Sequence, residues 1–178
     1  MARAIDAANF FITIMQDDEE RLTNKKINKL LYFVQGHSFL RLGHQFFDED
    51  IQAWDHGPVV PSIYHTFKVC GFEPISEPTE TLPEFTKEEA ALLIDVAREY
   101  GKYTGAALER ETHKKGTPWQ EYYVEGVKNI VIPKKVIEKY FLNRKLPTID
   151  DAIDGIPEIG YFDRDGYTVL PKEWKDEL

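Results

Sequence analysis

Apolar residues along most of this chain recur every three or four positions, a spacing that predicts a mainly helical fold. Over residues 3–16, Ile5, Ala8, Phe11, Ile12 and Met15 fall on one face of an amphipathic helix. An acidic run follows, Asp17-Asp18-Glu19-Glu20, and Thr23 is then placed to cap a long helix over about 24–41. Ile27, Leu30, Leu31 and Val34 make one stripe of it, while Tyr32, Phe33 and Phe39 cover its other faces. A helix that is apolar nearly all round is buried on several sides, so this one is expected at the centre. Its entrance is unusual. Lys25, Lys26 and Lys29 put positive charge at the positive end of the helix dipole, unfavourable by about 0.3–1 kcal/mol each if exposed. Pairing with the acidic run just upstream is the expected remedy, and a basic patch that meets an anion is the alternative.

Further along, 43–50 reads as a turn, 51–54 as a short strand and 62–69 as a helix ending at Gly71. Residues 72–85 carry Pro74, Pro78 and Pro83 and read as a surface loop. Thr86-Lys87-Glu88-Glu89 is a capping box, in which Thr and Glu satisfy each other's backbone N–H groups. It opens a helix with Ala90, Leu93, Val96, Ala97 and Tyr100 inward and Gly101 as its stop. A shorter helix over 104–111 leads to a polar turn at 112–116, and Thr117-Pro118-Trp119-Gln120 repeats the capping logic with proline at the first helical position. Pro133 opens a last helix bearing Val136, Ile137, Tyr140 and Phe141. Residues 143–157 are linker-like, and Asp163-Arg164-Asp165-Gly166 is a turn between two alternating segments, hence a C-terminal β-hairpin. The expected organisation is a compact multi-helix domain over 1–130 and, over 131–178, an extension of helix, linker and hairpin docked on it. There is no internal repeat and no low-complexity tract.

One stretch breaks the helical pattern. In Ala53-Trp54-Asp55-His56-Gly57-Pro58-Val59-Val60-Pro61-Ser62-Ile63-Tyr64, two prolines fix their own φ and push Gly57 and Val60 out of the helical region. A stiff, extended bend results, with Trp54 and Tyr64 held in place and Pro61 suited to begin a helix. Such a bend is either a rigid corner that packs an aromatic residue or a preorganised recognition surface.

Composition narrows the classes. With 42% hydrophobic and 30% charged residues this is the composition of a soluble globular protein. No apolar run approaches the roughly 20 residues that span a bilayer. The short run Phe10-Phe11-Ile12 leads straight into acidic residues, unlike a signal peptide. The terminal Lys175-Asp176-Glu177-Leu178 imitates a retention signal but is read as chance. A single cysteine, Cys70, excludes an internal disulfide and suits a reducing cytoplasm. The formal charge of −9 opposes direct nucleic-acid binding and would steer a basic partner towards the chain.

Known chemistry finds little purchase. The five histidines show no HExxH spacing, and no second cysteine is present for a structural zinc site, so no metal or cofactor is expected. There is no GxSxG elbow, Walker loop or GxGxxG fingerprint. If the turn holding Asp55 and His56 met the turn holding Glu111 and His113, a group of titratable side chains flanked by tryptophans would form. That is the one opening for an enzyme, a small hydrolase or nucleotide-binding protein. The alternative is that these groups serve as caps and packing partners. No catalytic residue is assigned.

Three blocks in order, Leu22 to Phe33, the 53–64 stretch, and Thr112-His113 with Pro118-Trp119, resemble the Panacea domain family. This family includes SocA-like antitoxins and many phage-associated proteins. The resemblance covers residues 3–125, and the run Ala-Trp-x-x-Gly-Pro-Val-x-Pro-x-x-Tyr is its most specific motif. It implies a helical, non-enzymatic, cytoplasmic antitoxin that neutralises a separately encoded toxin by direct binding. A protease adaptor serving a AAA+ protease, or a phage regulatory protein using the same surface, is the alternative. The matching positions, expected to bind the partner or build the framework, are Trp54, Gly57, Pro58, Pro61, Tyr64, Thr112, His113, Pro118 and Trp119.

Overall fold

The computed structural model describes residues 2–16, 21–143, 161–162 and 168–169. They form seven α-helices, two short pairs of strands and a 3-10 turn. The described chain is mainly helical, as the spacing predicts. Two compact units are present, Met1–Asn143 and Arg144–Leu178. Within the second, β3 (Tyr161–Phe162) and β4 (Thr168–Val169) pair antiparallel. The turn expected between them lies outside the described residues.

The first unit is built around α2 (Asn24–Arg41), which opens where Thr23 Oγ1 accepts the Lys26 N–H. Ile27, Leu30, Leu31, Tyr32, Phe33 and Val34 are all buried. No single face can account for that. The helix is enclosed by α1 (Ala4–Ile14), α3 (Pro61–Phe67), α4 (Lys87–Tyr100), α5 (Gly105–Thr112) and α7 (Lys134–Asn143). On α1 the predicted face holds: Ala8, Phe11, Ile12 and Met15 are buried and Ile5 is half-buried. On α4 the capping box forms in full, Thr86 Oγ1 accepting the Glu89 N–H and Glu89 accepting the Thr86 N–H. Gly101 closes that helix with helical φ and ψ, not the left-handed turn common at such a stop.

The bend at 53–64 is a β-hairpin running into a helix. β1 (Gln52–Trp54) pairs with β2 (Gly57–Val59), Trp54 facing Gly57 in the register, and Pro61 begins α3. A 3-10 turn, Lys68–Cys70, extends α3 to Gly71. On its other edge β1 meets residues 130–132, where the Ala53 N–H donates to the Ile130 carbonyl and the Ile132 N–H to the Ile51 carbonyl, both at 2.8 Å. That lacing leads into α7, which returns to α2. The contact between these two helices is close enough to demand glycine: a Cβ at Gly36 would overlap the Phe141 ring.

Gly36→Ala should therefore destabilise the protein by about 1–3 kcal/mol, the range for forcing extra volume into a packed core. Phe141→Leu added to it should recover part of the loss. Denaturant unfolding of the three proteins measures both, and a Gly36→Ala variant as stable as the parent would show that α7 does not sit on this glycine.

Candidate functional site

Four buried polar side chains near the start of α2 hold the neighbouring backbone. Lys29 Nζ donates to the Pro58 carbonyl at 3.0 Å, from a side chain 1% exposed. Asn28 Oδ1 accepts the Val60 N–H at 2.9 Å, and Asn28 Nδ2 donates to both oxygens of Asn24, its carbonyl and its Oδ1. Asn24 Nδ2 in turn donates to the Tyr64 carbonyl at 3.0 Å. The stretch from Pro58 to Tyr64 is thus fixed at three points to one helix. Lys26 reaches the other way, donating to the Gly101 carbonyl at the end of α4 at 2.5 Å. Such buried donors are tolerated because each finds an acceptor.

The lysines consequently depart from one of the two expectations for the helix entrance, the exposed basic patch. Lys26 and Lys29 are buried against backbone carbonyls, and Lys25 pairs with Glu109 of α5 at 2.7 Å. With Lys26 and Lys29 enclosed in this way, the helix entrance is not an exposed basic patch. The acidic residues 17–20 lie outside the described residues.

Gly57 is pressed into this arrangement. A Cβ there would stand 2.8 Å from Lys29 Cε and 2.9 Å from both Lys29 Nζ and Thr112 Oγ1. Its φ of +101° is also closed to most side chains. The proline rule alone predicts an extended negative φ at this position. The tight turn between β1 and β2 overrides it, and only glycine permits that.

The two polar turns do meet. Trp119 Nε1 donates to the Trp54 carbonyl at 2.8 Å, and His113 Nε2 lies 3.3 Å from the Asp55 carbonyl. The His113 ring also rests on Trp119, with centroids 3.6 Å apart, and its Nδ1 is 2.6 Å from the Glu109 carbonyl. α6 (Pro118–Tyr122) begins here: the Thr117 hydroxyl accepts the Gln120 N–H and donates to the Thr112 carbonyl, while Thr112 Oγ1 donates to the Glu109 carbonyl. Glu111 does not join the group and pairs with Lys114 at 2.5 Å. The carboxylate that reaches His56 is Glu109, at 3.0 Å. Burial pushes the Glu109 carboxyl up, but the bonds from Lys25 and His56 outweigh it and hold it below its usual range. Sequence spacing had not singled out Glu109, whose importance depends on where α5 crosses α2. Among the described residues no group of three or more His, Cys, Asp or Glu is arranged to hold a metal ion.

The nine positions selected from sequence divide by exposure. Gly57, Pro58, Thr112, Pro118 and Trp119 are buried, while Trp54, Pro61, Tyr64 and His113 are half-buried. Trp54 and Tyr64 pack edge to face with centroids 4.9 Å apart, and His65 joins them from the exposed side of α3. The Trp54 N–H is taken by Gln52 Oε1 at 2.9 Å. The pair is therefore oriented before any partner arrives.

Burial drives the pKa of Lys29 down to about 7, with the Glu109 charge pulling it back and Lys25 lowering it further. The unfolded chain binds the extra proton up to its own value near 10.5. Between these limits the unfolded state holds more protons, so stability rises with pH by up to about 1.4 kcal/mol per unit from this group. The stability difference between the parent and Lys29→Met should shift in favour of the parent from pH 7 to 9.5, read from denaturant midpoints. Parallel curves would show that Lys29 does not titrate abnormally.

No helix among the described residues is long and apolar enough to cross a membrane. No curated protein matches the chain, and no solved structure does. A family model described as the antitoxin SocA-like, Panacea domain matches residues 27–120. That span is more than half the sequence and takes in most of α2, the hairpin, α3 and the turn carrying Thr112, His113, Pro118 and Trp119. The chain belongs to the SocA-like antitoxin Panacea domain family.

Proposed function

We propose that this protein is an antitoxin that neutralises a toxin encoded beside it by binding it directly, and that the Trp54–Tyr64 pair contributes to the binding surface. The observation that carries this reading is an aromatic pair left half-exposed on a backbone pinned from behind. Asn24, Asn28 and Lys29 hold the hairpin and α3 from the core side, and Gln52 fixes the indole. A surface ordered in advance avoids much of the entropy lost when interface side chains are immobilised. Large aromatic residues held in this way are the usual anchors of protein interfaces. His56 is engaged with Glu109, and His113 with the Glu109 and Asp55 carbonyls, which suits a binding role more than turnover.

Trp54→Ala and Tyr64→Ala should each abolish rescue of cells expressing the co-encoded toxin and weaken binding at least about tenfold, equivalent to about 1.4 kcal/mol. Both variants should retain a cooperative melting transition, since the three backbone bonds beneath them do not involve either side chain. Rescue assays and thermal melting followed by circular dichroism belong together on each variant. A variant that melts like the parent and still rescues would remove that residue from the interface. One that no longer melts cooperatively would make it a framework residue.

A further inference from the structure

His113 stands where the β1–β2 hairpin, α5 and α6 come together, and both of its ring nitrogens face backbone carbonyls. Nδ1 lies 2.6 Å from the Glu109 carbonyl oxygen, and Nε2 lies 3.3 Å from the Asp55 carbonyl oxygen. Nδ1 also lies 3.4 Å from Thr112 Oγ1, whose own hydrogen is directed to the Glu109 carbonyl. A carbonyl oxygen can only accept, whereas a neutral imidazole has one N–H and one lone pair. Only the doubly protonated ring satisfies both contacts. A neutral ring must turn its lone pair towards one of the two oxygens.

Two further features favour the cation. The Glu109 carbonyl belongs to the last turn of α5, the negative end of the helix dipole, and it also receives the His113 backbone N–H at 3.0 Å. The Trp119 ring rests on the imidazole with centroids 3.6 Å apart, so charge at this point meets an aromatic ring. The ionisable groups around the ring are Asp55 and His56 on the hairpin, Glu109, Glu111 and Lys114 on and beside α5, Lys25 and Lys29 on α2, and Tyr123 stacked behind Trp119. Glu109 is held by Lys25 and His56, Glu111 by Lys114, and the Asp55 carboxylate by the Tyr123 hydroxyl. The acceptors that meet the His113 ring come from main chain.

We propose that His113 is a proton-dependent tie between the end of α5 and the turn of the hairpin. With its proton the ring bonds both. Without it, the remaining N–H stays on the shorter Glu109 contact, and the Asp55 carbonyl is released. The tie itself stands apart from any partner; that the turn it holds belongs to a binding face rests on the reading of Trp54 and Tyr64 above. The unfolded chain offers the ring only water, so folding favours the protonated form. The stabilisation is in place at acidic pH and declines as pH rises through the range in which histidines give up their proton. That sign is opposite to the one worked out for Lys29.

The test is a magnetic-resonance titration of the full-length, isotopically labelled His56→Gln protein, a background that removes the neighbouring imidazole. At acidic pH both ring nitrogens of His113 should carry protons. As one proton leaves, the amide that shares a peptide group with the Asp55 carbonyl should move with the same midpoint. The folding constant of this protein, relative to one that also carries His113→Gln, should fall about fivefold between pH 5 and 8, and Lys29, common to both, cancels. A ring that only packs would titrate without either response. A single N–H on the ring throughout, an unmoved Asp55 peptide group or a flat ratio would overturn the tie. Should the chain with His113→Gln not fold, the titration of the ring and the peptide group decides alone. None of these readouts involves a partner, so loss of the tie leaves direct toxin binding untouched, and absence of toxin binding leaves the tie standing.

Discussion

The structure depends on a set of buried hydrogen bonds from α2 to backbone that has no regular partner of its own. The prolines at 58 and 61 lack an N–H, and Gly57 turns the chain too sharply for a longer ladder. The polar groups freed by that irregular course must be satisfied, because an unpaired buried donor or acceptor costs about 1–3 kcal/mol. Asn28 takes the Val60 N–H, Lys29 serves the Pro58 carbonyl and Asn24 serves the Tyr64 carbonyl. Gln35, further along the same helix, does likewise for another irregular segment, accepting from the Phe46 and Phe47 N–H groups and donating to the Phe47 carbonyl. The buried polar side chains of the central helix thus serve backbone groups of the segments laid against it.

Lys29 is the expensive member of this set. An asparagine satisfies a carbonyl at little electrostatic cost, whereas a fully buried ammonium must be desolvated and finds only Pro58 and the more distant Glu109 charge in return. Its long stem offers something an amide cannot. The methylenes run beneath Gly57 so closely that they and Thr112 together leave no space for a side chain there. Removing the lysine would free a carbonyl and empty the space under the turn at once. The position couples α2, the hairpin and α5 in a single contact.

Local features of this fold were legible in the sequence and long-range ones were not. Thr23, Thr86 and Thr117 cap helices where the pattern places them, because a cap involves residues two or three apart. The apolar faces of α1 and α4 follow from periodicity for the same reason. The roles of Asn24, Lys26, Asn28 and Lys29 depend on which distant backbone comes to rest on them, and no spacing reveals that. A signal was present nonetheless. Five of the first six residues of a helix that is otherwise apolar on all sides are Asn or Lys, and a central helix cannot expose such a run to water. Reading the lysines as a surface feature kept the helix entrance outside the core. Reading them as buried donors would have predicted that irregular backbone lay against them. Glu109 was missed because its two partners, Lys25 and His56, come from different elements that meet only after folding.

The family motif then separates into two kinds of residue by physical role. Gly57, Pro58, Thr112, Pro118 and Trp119 are buried, and each has a structural task visible in its contacts. They give the hairpin its turn, bring α5 beside it and tie α6 to the Trp54 carbonyl. Trp54, Tyr64 and His113 are half-buried on the surface so created. The bond from the Trp119 indole to the Trp54 backbone, which joins the two groups, is made by main chain on the Trp54 side. It fixes where Trp54 stands without specifying its side chain. A framework that holds position through backbone leaves the displayed side chains free to change, and a change in one of them need not disturb the core. This is a physical basis on which one fold can present different contact surfaces to different partners.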